Sequence, residues 1–409
     1  MSYDRYFDGN SISLEAFETF YSMLEDSKSP GAPAVYLYPN NQAARIAKSE
    51  FYAELNSRVE ALIELGSYLI DNHADLSEIF GFNDDDPDRV LSLSKRLFTQ
   101  GYCDSVLLKV KGEPRKLGKY PRLVCMVSSL DVTIDRMFHH NLVIHEKEQD
   151  CYKIGTATSL NITTPASTDR MTQKFRSHQP LVSTDVQGWE YTTDTYDMYC
   201  CAIKHLYSGG FLSIHMEEDK ILFPDLTESP RGKVARIILA RAFVSCFRII
   251  STEEGSLLCS PPGLMSSGGY LTFSNNSFIR SFKTVQATLL SDVNLRAVDL
   301  HREDPPEGLF NFSCGDDNLN NSKPLFVSDL GYQRLGLVIT DKLLQVNTFS
   351  FCSTHFETNN SYGESIDKFF AHAMFSKTAL VDLIIALENN FRFHPKFSYY
   401  YDLLQRELS

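Results

Sequence analysis

The feature that most constrains this chain is a short alternating run, Leu309-Phe310-Asn311-Phe312-Ser313-Cys314, that stops at Gly315-Asp316-Asp317-Asn318. Alternation is the period of a β-strand, and a Gly-Asp step is turn chemistry. The pattern predicts a hairpin with two acids at its tip, and for a bare Gly-Asp-Asp the plain reading is a type I′ turn. A third acid has a comparable setting. Pro180 to Val186 reads as a short strand ending at Asp185, Gly188 supplies a turn, and Glu190 to Tyr207 reads as a helix. Strand, turn and helix with an acid at the strand's end is a common way to present a functional carboxylate.

The surrounding chain is mostly helical in pattern. Leu55, Val59, Leu62 and Ile63 fall on one helix face within a helical stretch that runs to about residue 108. Asn83 to Pro87 is a helix-start or turn cluster, and the plain reading of its acids is a solvated cap rather than a metal site. Residues 155–180 are rich in Ser and Thr without periodicity, which predicts an exposed connection. Pro261-Pro262-Gly263 marks a segment boundary, Ser267-Gly268-Gly269 a flexible turn, and Leu271 to Leu290 a helix. Leu335 to Val346 and Asn347 to Ser353 are strand-like. Ser365 to Asn389 is an amphipathic helix or pair of helices with Phe369, Phe370, Ala373, Met374, Leu380, Leu383 and Ile384 on its apolar side. No internal repeat is visible.

Composition narrows the class. With 43% apolar and 22% charged residues over 409 positions, the chain is globular rather than disordered or collagen-like. Its length suits about two to three domains, or one large subdivided one. Nine cysteines, an odd number without a C-x-x-C pair, read as reduced thiols, and no paired Cys/His spacing suggests zinc. The first ten residues are not a signal peptide, and the longest apolar run, Ile237 to Ile250, is interrupted by Arg241 and Arg248. The expectation is a soluble, intracellular protein with no transmembrane segment.

Charge is uneven. The formal net charge is −13, yet Lys109, Lys111, Arg115, Lys116, Lys119 and Arg122 face only Glu113, which gives +5 within residues 109–122. A solvated charged loop is the plain reading. A phosphate-contact surface is the sharper one, because clustered fixed cations focus anions even on an acidic protein.

Taken in order, these segments resemble a viral RNA-dependent RNA polymerase of the sobemo-like and polero-like branch of the picorna-like supergroup. Ser29-Pro30-Gly31-Ala32-Pro33 resembles the template-entry motif of the fingers. Lys111 to Val124, continued by Asp131 to Arg136, resembles the basic finger motif. Asp185 to Glu190 resembles the first palm motif and Gly263 to Arg280 the second. Cys314 to Asp317 resembles the third, Leu335 to Lys342 the fourth, and Phe351-Cys352-Ser353 the fifth. Each match is modest alone; seven in fixed order are strong.

The resemblance implies an α+β right-hand polymerase, with fingers, an antiparallel palm sheet packed by helices, and a thumb. Residues 1–180 would be the first part of the fingers, 181–205 palm, 206–262 a fingers insertion, 263–355 palm, and 356–409 a small thumb that leaves room for duplex product. The implied reaction is template-directed attack of an RNA 3′-hydroxyl on the α-phosphate of an NTP, with pyrophosphate leaving. It needs two Mg²⁺ or Mn²⁺ ions, and hard cations of this kind take carboxylates from separate strands. Asp185 and Asp316 are the expected metal pair, with Asp317 auxiliary and the carbonyl of Val186 a further ligand.

Lys111, Lys119 and Arg122 would face the triphosphate. Arg115 and Lys116 would touch template RNA or be plain solvated charge. Glu190, with Ser267, Thr272 and Asn276, would read the ribose 2′-hydroxyl, although Glu stands where the family usually has Asp. Gly268, with Gly269, would let the loop flex as template advances. Lys342 would be the general acid for pyrophosphate, with Lys323 as runner-up, or else an exposed surface Lys. Cys352 and Ser353 would grip the primer strand or be a plain hairpin. The implied partners are template and nascent RNA, NTPs and other viral replication proteins, in host cytoplasm, replication complex or virion. The competing readings are a non-catalytic RNA-binding protein derived from a polymerase, and a reverse transcriptase. The intact acids oppose the first, and Gly-Asp-Asp with Thr272 and Asn276 opposes the second.

Overall fold

The computed structural model describes residues 5–72, 86–114, 117–118, 120–149, 151, 156, 165–215, 220–222, 228–291, 310–321, 329–357, 360–376 and 378–408. The chain divides into two compact units. One comprises Met1–Val110, Leu123–Glu148 and Gly188–Asn275; the other comprises Lys111–Arg122, Gln149–Gln187 and Asn276–Ser409.

In chain order the elements begin α1 (Leu14–Ser22), α2 (Asn41–Ala44), α3 (Lys48–Asn72), α4 (Pro87–Thr99), β1 (Val106–Val110), β2 (Leu123–Met126), α5 (Ser129–Glu148), α6 (Pro165–Ser177) and β3 (Leu181–Val186). They continue α7 (Thr195–Ser208), β4 (Ser213–His215), β5 (Lys220–Leu222), α8 (Pro230–Cys246), β6 (Ile249–Thr252), β7 (Leu257–Cys259), α9 (Thr272–Ser291), β8 (Asn311–Cys314), β9 (Asp317–Asn321) and α10 (Asp329–Arg334). The last are β10 (Ile339–Gln345), β11 (Phe349–Phe351), β12 (Thr354–Phe356), β13 (Ser361–Gly363), α11 (Ile366–Ser376), α12 (Leu380–Phe391) and α13 (Phe397–Leu408). Among the described residues no helix is long and apolar enough to cross a membrane.

In the first unit, α8 is apolar almost all round, as a helix buried on every side must be. It buries Val234, Ile237, Ile238, Leu239, Phe243 and Val244 and packs against α3 and α7. Gly66 permits the α3 contact, since a Cβ there would lie 2.3 Å from the carbonyl of Arg236. Leu55, Val59 and Leu62 of α3 are fully buried, as their spacing predicts.

The arginines that interrupt the apolar run are buried too, and this is possible only because each is paired. Arg241 reaches Asp135 at 2.7 and 3.0 Å and Asp131 at 2.9 Å. Arg248 donates to Asp131 at 3.2 Å. Arg58 grips Asp104 with two bonds and also reaches Asp131. Burial alone would raise the Asp131 carboxyl, but Arg241, Arg58 and Arg248 hold it far below the usual carboxylate range. The four-stranded sheet here runs β2-β1-β6-β7, with β1 and β6 parallel and the other pairs antiparallel.

In the second unit the main sheet is antiparallel throughout, in the order β10-β3-β9-β8. Period-two alternation gives it two different faces. One carries Leu181, Phe312 and Leu319 into an aromatic core with Phe310, Phe349, Phe351 and Phe356. The other is polar and meets α9. Asn318 donates to Asn311 and Ser313, Asn320 to Asn318, and Ser281 on α9 bonds Ser313 at 2.9 Å. The unit also holds a three-stranded sheet β11-β12-β13 and the helices α11 to α13, and these helices share a core around Ile366, Leu387 and Phe391.

The α+β reading is borne out in both units, and Asp86 caps α4 as expected by accepting from the amides of Asp88 and Arg89. Two expectations are corrected. Residues 155–180 are not wholly an exposed connection, because α6 occupies Pro165–Ser177. Among its described side chains the buried apolar ones are Met171 and Phe175, four residues apart, too sparse a signal to read as amphipathic. The helix expected from Glu190 is a 3₁₀ turn, Trp189–Tyr191, followed by α7. A capping box resets the helix start at Asp194, with Asp194 accepting from the Asp197 amide and Asp197 from the Asp194 amide.

Phe175 has ring centroids of Phe310, Phe312, Phe349 and Phe351 within 6.1 Å. Phe175→Ala should therefore destabilise the second unit by about 3–5 kcal/mol, measured as a lower guanidinium midpoint.

Candidate active site

The expected hairpin is present. β8 and β9 pair from Asn311↔Asn320 to Cys314↔Asp317, which leaves Gly315 and Asp316 as a two-residue loop. Gly315 has φ +64° and Asp316 is not in the left-handed region. That pattern, glycine first, belongs to a II′ turn rather than the I′ turn expected of a bare Gly-Asp-Asp. α9 anchors the loop at two points. The Gly315 amide donates to Ser277 Oγ at 2.9 Å, and Arg280 Nε donates to the Asp316 carbonyl at 3.0 Å.

β3 brings Asp185 to the same place. Its ladder with β9 ends at Thr184↔Asn318, so the next step sets Asp185 beside Asp317 on one face. On its other edge Asp185 is opposite Asp341 of β10, next to a bulge at Thr340, whose hydroxyl reaches the Asp185 carbonyl at 3.5 Å. Bulges commonly re-aim side chains beside functional sites. Val186, the last residue of β3, is buried. Asp185, Asp317 and Asp341 line one cavity with Ser183, Ser350, Cys352, Ser353 and Glu364.

Within this group the Asp317 carboxyl is raised to about 6. Burial is the largest cause and the charges of Asp316 and Asp185 add to it, against a hydrogen bond from the Cys352 thiol and the charge of Arg280. The Cys352 thiol bonds both Cys314 and Asp317 and is pushed far up, so it stays a neutral donor. Cys352 and Ser353 form the β11–β12 turn with φ +51° and +56°, a left-handed pair that neither residue type favours.

Among the described residues no group of three or more His, Cys, Asp or Glu side chains closes into a ready metal cage. Magnesium does not require one, since it binds through one or two carboxylates, retained waters and substrate phosphates. Asp317, whose carboxyl the charges of Asp316 and Asp185 help to raise, opens with Asp185 to a cavity, and such a pair suits an ion of this kind.

The other expected residues are placed as follows. Lys342 is opposite Thr184, on the sheet face away from Asp185, and pairs with Asp329 at 2.9 Å. Lys111 pairs with Glu113 at 2.9 Å, Arg122 lies 3.9 Å from the same carboxylate, and the Lys111 amide donates to the Arg122 carbonyl. Arg115, Lys116, Lys119 and Lys323 lie outside the described residues. In the first unit, Glu190 is exposed on its 3₁₀ turn, and its carbonyl accepts from the Met265 amide. Ser267 Oγ accepts from the Cys125 amide at 3.2 Å, and Thr272 Oγ1 donates to the Ser266 carbonyl at 2.7 Å. A Cβ on Gly268 would lie 2.1 Å from the Cys125 carbonyl, so close approach requires glycine there. Asn276, the fifth residue of α9, is half-buried and belongs to the second unit. Arg280 and Asp341 fall within the second and fourth motif segments, where neither spacing nor turn chemistry marks them out. Only strand register and the contacts of α9 single them out.

No family model matches the chain. It is similar to the replicase polyprotein P2AB of Southern bean mosaic virus (isolate Bean/United States/Arkansas), with 29% identity over 195 residues, covering 45% of this chain and 18% of the polyprotein. Replicase polyprotein P2AB of Southern cowpea mosaic virus is 27% identical over 194 residues, covering 44% and 18%. That of Cocksfoot mottle virus is 24% identical over 194 residues, covering 46% and 18%. The match thus spans less than a fifth of the length of these relatives. The expected resemblance to viral replication proteins is borne out by them. Among solved structures, the RNA-dependent RNA polymerase of a human picorbirnavirus aligns with TM-score 0.49 and 14% identity, over 73% of this chain and 55% of that one.

The pKa of Asp317 gives a pH dependence. A carboxyl raised in the folded state favours folding below its unfolded value, and that contribution is lost as pH rises through about 6. In chelator, Asp317→Asn should therefore raise the melting temperature relative to the native protein more at about pH 7.5 than at about pH 4. A difference that is flat with pH would contradict the raised value.

Proposed function

We propose that this chain carries the RNA-dependent RNA polymerase activity of a viral replicase, joining NTPs to an RNA 3′-hydroxyl on an RNA template with release of pyrophosphate. The observation that carries the reading is the meeting of Asp185 with Asp316 and Asp317, from distant parts of the sequence, on one edge of an antiparallel sheet. Two divalent ions held by Asp185, Asp316, Asp317 and the Val186 carbonyl would lower the hydroxyl's pKa and stabilise the attacking and leaving oxygens.

The chain's own residues have distinct tasks in this reading. Arg280 and Ser277 hold the Asp316 turn in place. The Cys352 thiol holds a proton toward Asp317, and the Cys352-Ser353 turn borders the same cavity, where a primer strand would end. Lys111 and Arg122 would bind triphosphate oxygens, with phosphate displacing the carboxylate of Glu113 from them. Glu190, Ser267, Thr272 and Asn276 would read the ribose, and the hydroxyls of Ser267 and Thr272 already bond main chain. A general-acid role for Lys342 requires its ammonium to leave Asp329.

The test is incubation with a homopolymeric RNA template, labelled NTPs and Mg²⁺ or Mn²⁺. Asp316→Ala should abolish incorporation while circular dichroism stays that of the native protein; incorporation that survives the substitution would sink the reading. RNA affinity should also fall steeply with salt, because single-strand binding loses roughly 0.7 in log–log slope for each phosphate neutralised. Affinity that hardly changes between low and moderate salt would contradict a cationic RNA channel on a chain of net charge −13.

A further inference from the structure

The β3–β9 ladder holds Leu181 to Thr184 against Asn318 to Asn321 and ends one residue short of the acids. What spans the gap is Arg280, a fully buried side chain on α9. Its Nη2 donates to the Thr184 carbonyl at 3.1 Å and, in a short bond, to the Thr184 hydroxyl. Nε donates to the Asp316 carbonyl at 3.0 Å, and Nη1 to Thr284 on its own helix at 3.3 Å. The guanidinium lies over the Tyr332 ring, 5.6 Å from its centroid.

We propose that Arg280 is a positioning residue: its guanidinium is a strut between Thr184 and Asp316 that fixes the separation of Asp185 from the Asp316-Asp317 turn, and so sets divalent-cation affinity at that edge. A planar fork with donors at fixed angles can serve acceptors on two segments at once, whereas an ammonium on a flexible stem cannot hold both in one geometry. α9 makes the strut rigid. One turn earlier Ser277 receives the Gly315 amide, and one residue later Ser281 bonds Ser313, so the turn and β8 are referenced to the same helix face. The catalytic consequence rests on the polymerase reading; the ion-binding consequence does not.

The test uses the full chain and Mn²⁺ as the probe. Binding is followed by electron paramagnetic resonance, and the component lost in Asp316→Ala defines the site. Arg280→Lys should weaken that component about tenfold, the scale of a lost hydrogen bond to a charged group. It should lower kcat by a similar factor, with KM for NTP nearly unchanged. Thr184→Val keeps the carbonyl and removes only the hydroxyl. It should shift both quantities the same way by less, and it decides the matter if Arg280 variants do not fold. Folded variants with native Mn²⁺ affinity, or a lower melting temperature with no change in affinity, would overturn the strut. Native protein that binds Mn²⁺ as described yet incorporates no nucleotide would count against the polymerase reading and leave the strut standing.

Discussion

The candidate site depends on the register of β3 between its two neighbours. With β9 on one side and β10 on the other, Asp185, Asp317 and Asp341 share one face, and Thr184 and Lys342 share the other. A slip of one residue along either ladder would send Asp185 to the helix side. The register is well specified because the faces differ so strongly. One must bury Leu181, Phe312 and Leu319 among phenylalanines; the other must satisfy Asn311, Ser313, Asn318 and Asn320. Neither set would tolerate the other's surroundings.

That arrangement places the acids where an aromatic core gives way to a cavity. Carboxylates there lose part of their hydration without gaining the arginine partners that stabilise Asp131 in the first unit. The contrast separates two uses of carboxylates. Around Asp131 three guanidiniums converge, two of them also pairing with Asp104 and Asp135, and the outcome is a fixed scaffold. Around Asp317, burial and the charges of Asp316 and Asp185 disfavour the carboxylate, and an incoming cation would offset that cost.

Much of this was legible in the sequence. The hairpin at Asp316, the strand that carries Asp185 near its end and the amphipathic helices α11 and α12 all follow from periodicity and turn chemistry. What was hidden has physical reasons. α6 has two buried apolar residues among its described side chains and so looks like a polar loop. The start of α7 is decided by a reciprocal cap, whereas periodicity alone extends it back to Glu190. Asp341 matters only through strand register, which no single segment encodes. Arg280 reads as an ordinary helix arginine until the carbonyls it reaches are seen.

Those carbonyls have one more implication. Side chains can be exchanged by mutation, but main-chain oxygens persist whatever residue bears them. Two of the acceptors that receive Arg280 are of this kind, at Thr184 and Asp316. Genetic drift at position 184 would thus leave most of the brace intact, whereas a change at 280 removes every donor together. Tolerance to substitution should be lopsided across a contact whose halves look equally important in space.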